Sequence, residues 1–183
     1  MQISVLELEH EPLVFKLSLA PEAMDYGTEI TQVAPLAVEG SADLIQETHG
    51  PRTVIQDIRV QGDYSSEFEI ACARCLAPVR KKLVGCFNVL FRPLGADQGK
   101  TDRSITSSET EIGYYQDSGL MLEDVLREQV LLSLSARTLC REDCKGLCTR
   151  CGKDQNTEQC TCEAALADPR WSALSDLADR LKK

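Results

Sequence analysis

Cysteine is the residue through which this chain could do chemistry. Eight of its nine cysteines fall into close pairs: Cys72 and Cys75 (CARC), Cys140 and Cys144 (CREDC), Cys148 and Cys151 (CTRC), Cys160 and Cys162 (CTC). Six of them crowd into residues 140–162, CREDCKGLCTRCGKDQNTEQCTC. Four thiolates in a tetrahedron are what a structural zinc site needs. Two cysteines two residues apart in a tight turn can aim both sulfurs at one ion. Gly152, just after Cys151, lets backbone amides turn back toward them. Cys148, Cys151, Cys160 and Cys162 spell CxxC-x8-CxC, a self-sufficient zinc knuckle. Cys72, Cys75, Cys140 and Cys144 remain, and would form a second site joining a strand end to a distant segment. The expectation is therefore one or two zinc ions.

Other readings of the same thiols stay open. Cys144 could belong to the knuckle and displace Cys160 or Cys162. Cys72 and Cys75 could be the redox pair of a thiol–disulfide oxidoreductase. That activity wants a helix N-terminus after the first cysteine, whereas this pair ends a strand and is followed by Pro78 and basic residues. Four metal-free thiols within fifteen residues would invite oxidation, and free cysteine is ordinarily buried and sparse. Cys86 stands alone mid-strand and reads as a core residue.

The formal net charge is −9. Acidic residues are concentrated before the cysteine-rich segment, while residues 140–183 carry 8 acids and 8 bases. Four thiolates around one zinc add a further −2, so broad electrostatic capture of RNA is disfavoured. One stretch runs the other way: CARCLAPVRKK holds Arg74, Arg80, Lys81 and Lys82 and no acid. Arg74, on a turn held by a metal, could meet a phosphate or a base edge, or simply bond to its own turn. Arg170 carries the same two readings: an anion contact beside the knuckle, or a solvated residue in the first turn of a helix. GADQGKT has three residues between its glycines where a phosphate-binding loop has four, and lacks the flanking strand and helix. His10 and His49 suggest no catalytic grouping, and no residue pattern argues for an enzyme or a small-molecule substrate. The N-terminus has no basic region resembling a secretory signal, and no run of 18 apolar residues exists. The expected compartment is the cytoplasm, where thiols stay reduced.

The elements that must position these cysteines read as α+β. Ile3, Val5 and Leu8, then Leu13, Phe15, Leu17 and Leu19, alternate like strands. Residues 20–43 mix proline and glycine and read as loops. RTVIQDIRVQGDY, EFEIACA and LVGCFNVLF read as three further strands, the last being the most apolar and so central. EIGYY adds a short one. The expected sheet is antiparallel, with curling toward a barrel as an open alternative. Asp117 or Ser118 is positioned to cap one long packing helix from about Leu120 to Leu134, its apolar face built from Leu122, Val125, Leu126, Val130 and Leu132. Residues 1–139 would be a core domain containing the polar loop 95–110. Residues 140–183 would be the zinc-stapled segment, closed by a short helix that Asp168 caps and Pro169 starts.

CARCL at 72–76, EQVLLSL at 128–134 and CREDCKGLCTRCGKDQNTEQCTC with DPRWSAL resemble the YceD family. These bacterial and plastid proteins are described as large ribosomal RNA subunit accumulation proteins. The resemblance covers roughly residues 45–180. It implies a non-enzymatic role in ribosome biogenesis. With the basic CARC turn and the acidic surface, the expected partner is pre-ribosomal RNA or a basic ribosomal or assembly protein, and the chain is expected to be a monomer. It further implies that Cys72 and Cys75 are the shared element and the 148–162 knuckle a variable addition. Gln155 stands where many relatives have leucine, which bears on packing between the ligand pairs. A zinc-dependent transcription regulator fits less well, since the helix at 120–134 carries Arg127 as its one basic residue.

Overall fold

Leu36, Val38 and Ala42 recur on one face of a thirteen-residue strand, and Tyr64, Phe68 and Ile70 on one face of an eighteen-residue strand. Their burial is what organises the fold. The computed structural model describes residues 1–48, 54–96, 112–116 and 118–162. In chain order these form β1 (Gln2–Ser4), α1 (Val5–Leu8), β2 (Leu13–Leu19), β3 (Ile30–Gln32), β4 (Leu36–Thr48), β5 (Val54–Ala71), β6 (Pro78–Pro93), β7 (Ile112–Tyr115), β8 (Gly119–Met121) and α2 (Leu122–Ser133). The fold is mostly sheet, with few helices. A six-stranded sheet runs β2-β4-β5-β6-β7, with β3 paired to β5, and β1 and β8 make a separate two-stranded sheet.

One face of the large sheet meets solvent. There Lys16 bonds Glu39 at 2.7 Å across β2 and β4, and Arg80 lies 3.4 Å from Glu69 across β6 and β5. The other face packs on α2, whose Leu122, Leu126 and Val130 join Phe15, Val38, Tyr64 and Phe68 in one cluster. Tyr26 meets Phe68 edge-on at 5.2 Å. Apolar positions three and four apart form the stripe that docks the helix. Tyr64 ties sheet to helix through its hydroxyl, which pairs with Ser133 Oγ and donates to the Gln129 carbonyl at 3.4 Å. Replacing Tyr64 with Phe is expected to cost about 1 kcal/mol of unfolding free energy, the net worth of a typical hydrogen bond. A urea midpoint that does not move would show that the hydroxyl contributes nothing.

At the far end of the sheet, Arg92 and Asp57 form a fork: Nε to Oδ1 at 3.1 Å and Nη2 to Oδ2 at 2.8 Å, with the pair 5 % and 0 % exposed. Glu47 takes a further bond from Arg92 at 3.1 Å. Strands β4, β5 and β6 are thus fastened by charge on the face opposite the core residues Ile58 and Phe91. Burial and the Asp57 carboxylate both push the nearby Tyr115 phenol upward, and its hydroxyl donates to the Gln56 carbonyl at 2.7 Å.

Several expectations are corrected. Only Gln2–Ser4 of the first segment is strand; Val5 and Leu8 are three apart, which suits the helical turn they form. Residues expected as loop contain β3 and the start of β4. Gly40 sits inside β4 because the strands approach too closely there for a side chain. A Cβ on it would overlap the Gln61 carbonyl and lie 2.9 Å from Gly62 Cα. The two strands expected within 52–73 are a single strand, β5, and β5 rather than β6 is central. The sheet is not wholly antiparallel, since β7 runs parallel to β6. Nor does a barrel close: β2 and β7 end the strand order, and no described pairing joins them. Cys86 is exposed on the solvent face opposite Asp63, not in the core.

In place of a long helix, α2 has twelve residues, because Leu120 and Met121 belong to β8. Met121 supplies no side-chain cap, but Glu123 and Asp124 occupy the first turn and suit the positive end of the helix dipole. Most of the polar loop 95–110, and the C-terminal helix with Arg170, lie outside the described residues. None of the described helices is long and apolar enough to cross a membrane.

Candidate metal centres

The hairpin joining β5 to β6 is built by CARCLA. Cys72 N–H donates to the Ala77 carbonyl at 2.9 Å, and Leu76 N–H donates back to the Cys72 carbonyl at 2.9 Å. Leu76 takes a left-handed φ of 61° to allow it. CTRCGK repeats this turn bond for bond. Cys148 N–H donates to the Lys153 carbonyl at 2.8 Å, Gly152 N–H to the Cys148 carbonyl at 2.9 Å, and Gly152 has φ 73°. The chain therefore contains one knuckle twice. The cue in the sequence was the shared CxRC, which spacing arguments alone passed over.

Each knuckle meets a second pair of cysteines. After α2 the chain returns to the β5–β6 hairpin, where Ala73 N–H donates to the Thr138 carbonyl at 2.8 Å. Cys140 and Cys144 then face Cys75 and Cys72, with sulfurs 3.6 and 3.9 Å apart. The four Sγ atoms lie within 4.8 Å of one another. Cys72 and Cys144 are 0 % and 2 % exposed, walled by Ala77, Val79, Leu139 and Leu147. We call this the inner centre. The outer centre gathers Cys148, Cys151, Cys160 and Cys162, again within 4.8 Å. Cys160 lies 3.3 Å from Cys148 and 3.6 Å from Cys151. Here Cys151 and Cys162 are exposed.

Each spacing is far longer than a disulfide and close to the edge of a tetrahedron of sulfurs about one metal ion, about 3.8 Å for a metal–sulfur length of about 2.3 Å. Backbone amides point at the sulfurs: Cys140 N to Cys72 Sγ at 3.4 Å, Arg150 N to Cys148 Sγ at 3.5 Å, and Cys162 N to Cys160 Sγ at 3.3 Å. Without a cation the groups are in conflict. The Arg74 and Cys75 amides hold the Cys72 thiol down to about 6, and those of Cys151 and Arg150 do the same for Cys148, also to about 6. Burial and the neighbouring sulfurs push Cys140 up to about 12, and the Cys160 and Cys151 sulfurs push Cys162 up to about 12. A divalent ion at the middle of each set relieves this, since every thiolate then has a positive neighbour. Both groups could hold metal ions.

The basic residues are disposed less simply. Arg74 donates from Nη1 to the Cys144 carbonyl at 2.6 Å, and its own carbonyl accepts from Leu147 N–H at 3.0 Å, so it braces the inner centre. Arg80, Lys81 and Lys82 are exposed on β6, but Arg80 is met by Glu69 and the register sets Lys82 opposite Glu67. The run with no acid in sequence is thus partly countered in space. Asn156, which sequence reasoning missed, donates from Nδ2 to Cys144 Sγ at 3.4 Å. Gln155 acts through its backbone, donating to the Gly146 carbonyl at 2.9 Å.

Fold and site together define a mostly-β protein with paired four-cysteine groups built on a duplicated knuckle. The chain belongs to the YceD family: a family model described as "Large ribosomal RNA subunit accumulation protein YceD" matches residues 60–178. A protein of Mycobacterium tuberculosis (strain ATCC 25618 / H37Rv), called uncharacterized, is 32% identical over 125 residues, covering 68% of this chain and 58% of its own length. A Mycobacterium leprae protein is 29% identical over 126 residues, with 68% and 55% covered. An Arabidopsis thaliana protein named "Large ribosomal RNA subunit accumulation protein YCED homolog 1, chloroplastic" is 22% identical over 167 residues, with 80% and 50% covered. The chain thus spans a little over half the length of the mycobacterial relatives and half that of the plant one. No solved structure matches it.

Proposed function

We propose that this chain is a non-enzymatic, cytoplasmic factor that supports accumulation of large-subunit ribosomal RNA through a surface held in shape by zinc. The observation that carries the reading is the pair of four-cysteine groups in a family named for that role. All-thiolate sets suit zinc in a closed structural site, with no position left open for a substrate. Cys148, Cys151, Cys160 and Cys162 would hold one ion, and Cys72, Cys75, Cys140 and Cys144 the other. The inner centre would staple the 1–139 core to the 140–183 segment, which on this reading are the two units of the chain. Metal analysis of protein purified without chelator is expected to give two zinc ions per chain; a value near zero would remove the reading.

The partner favoured by charge is a basic ribosomal or assembly protein. Net charge is −9, each four-thiolate zinc adds −2, and Arg74, Arg80 and Lys82 face the Cys144 carbonyl, Glu69 and Glu67. Direct contact of Arg74, Arg80, Lys81, Lys82 and Arg170 with pre-ribosomal RNA is the second reading. It is supported by the exposure of Arg80, Lys81 and Lys82 on β6. Capture from lysate before and after nuclease separates the two: a ribosomal protein retained after digestion supports the first, and its complete loss supports the second. A thiol–disulfide activity of Cys72 and Cys75 is disfavoured because Cys140 and Cys144 complete their sulfur shell. A reversible Cys72–Cys75 disulfide in metal-free protein would reinstate it.

A further inference from the structure

The geometry points to Asn156 as the residue that couples the two centres, so that an ion in the outer one raises the affinity of the inner one. This rests on the reading that both groups bind a divalent ion. Asn156 belongs to the outer centre's loop, between Cys151 and Cys160, yet its side chain acts at the inner centre. Its Oδ1 accepts from Lys145 N–H and from Arg141 Nη2, each at 2.8 Å. Its Nδ2 donates to Cys144 Sγ at 3.4 Å and to Asp154 Oδ1 at 2.7 Å. Two donors and two acceptor lone pairs are the full capacity of an amide, and all are used. The carboxylate of Asp would lose both donors and set an anion against the sulfur.

The loop that carries Asn156, GKDQNTEQ, has no large apolar residue and cannot be held by burial. Its anchors are the outer ligands at either end and polar contacts such as Asn156 N to Asp154 Oδ1 at 2.9 Å and Gln155 N to the Gly146 carbonyl at 2.9 Å. Emptying the outer centre releases those ends, and Cys144 then loses the donor that stabilises its charge. Partners of this kind change metal affinity by roughly 10–100-fold. Because binding free energies are linked, filling the inner centre must tighten the outer one by the same factor.

Cobalt(II) titration of the full chain, followed by the thiolate-to-cobalt charge-transfer band, tests this. A Cys151→Ser/Cys162→Ser chain isolates the inner step, and circular dichroism checks that each variant keeps its sheet. Asn156→Asp is expected to weaken the inner step by about tenfold or more, and the outer-centre variant to weaken it similarly. Combining them should weaken it no further, since both remove the same contact. Asn156→Ala should reproduce the loss without the added anion. Wild-type affinity in Asn156→Asp, or losses that multiply in the combined chain, would overturn the coupling while leaving two metal centres in place. A wild-type chain with reduced thiols and no charge-transfer band would overturn the centres themselves, and the coupling with them.

Discussion

Stripping metal with a strong chelator is expected to unfold residues 140–162 while the large sheet stands. Among the described residues after α2 there is no strand or helix, only the bridge between Leu147 and Asp154. Leu147 is also the segment's one large aliphatic side chain. Burial therefore cannot offset the entropy of ordering the segment, at about 1–2 kcal/mol per residue for the backbone alone. Zinc binding to small thiolate peptides, worth about 10–16 kcal/mol at neutral pH, can. Amide exchange should show Leu147, Cys148 and Gln155 losing protection, since only the centres keep residues 140–162 in reach of their partner carbonyls on Arg74, Lys153 and Gly146. The β5 amides paired to β4 should be unaffected. Cys144→Ser should reproduce the inner half of this effect and lower the zinc content by at least one ion. Protection that persists through 140–162 after verified metal removal would contradict the account.

A comparably large loss is expected from Arg92→Leu. It leaves Asp57, fully buried, as an anion without its fork, and removing one member of a buried pair costs about 3–5 kcal/mol. Glu47, half exposed, keeps water and contributes little of that. The urea midpoint is the readout. Adding Asp57→Leu should recover much of the loss, because exchanging a whole buried pair for apolar groups is often near neutral. If the single substitution is mild, or the second deepens it, the pair is not acting as a buried charge couple.

What could be read from the sequence was local. Leu13, Phe15, Leu17 and Leu19 spell β2, because alternation is a property of neighbours. The cysteine spacings suggested the same two sets of four that the structure gathers, since CxxC and CxC geometry is set by short turns. What escaped depends on distant chain. Gly40 fell in a stretch read as loop and Gly62 inside a strand, yet together they mark where β4 and β5 press together, and only the pairing reveals it. The parallel alignment of β7 on β6 escaped because alternation within a strand does not specify its direction against a neighbour. Cys86 sits mid-strand among apolar residues and so read as core, but it is out of phase with Leu83, Phe87, Val89 and Phe91 and lies on the open face of β6. Asn156 was invisible because a polar residue in a polar loop carries no pattern. Its importance comes from standing beside a sulfur twelve positions earlier.

The inner centre draws its ligands from points 72 residues apart, whereas the outer one closes within fifteen. During synthesis, Cys72 and Cys75 must therefore wait, as bare thiols at a hairpin tip, until β7, β8 and α2 have been made and docked. An ion held there would require β5, β6 and α2 to be in place first. A nascent chain whose helix fails to seat would leave Cys72 and Cys75 without the two sulfurs that cover them.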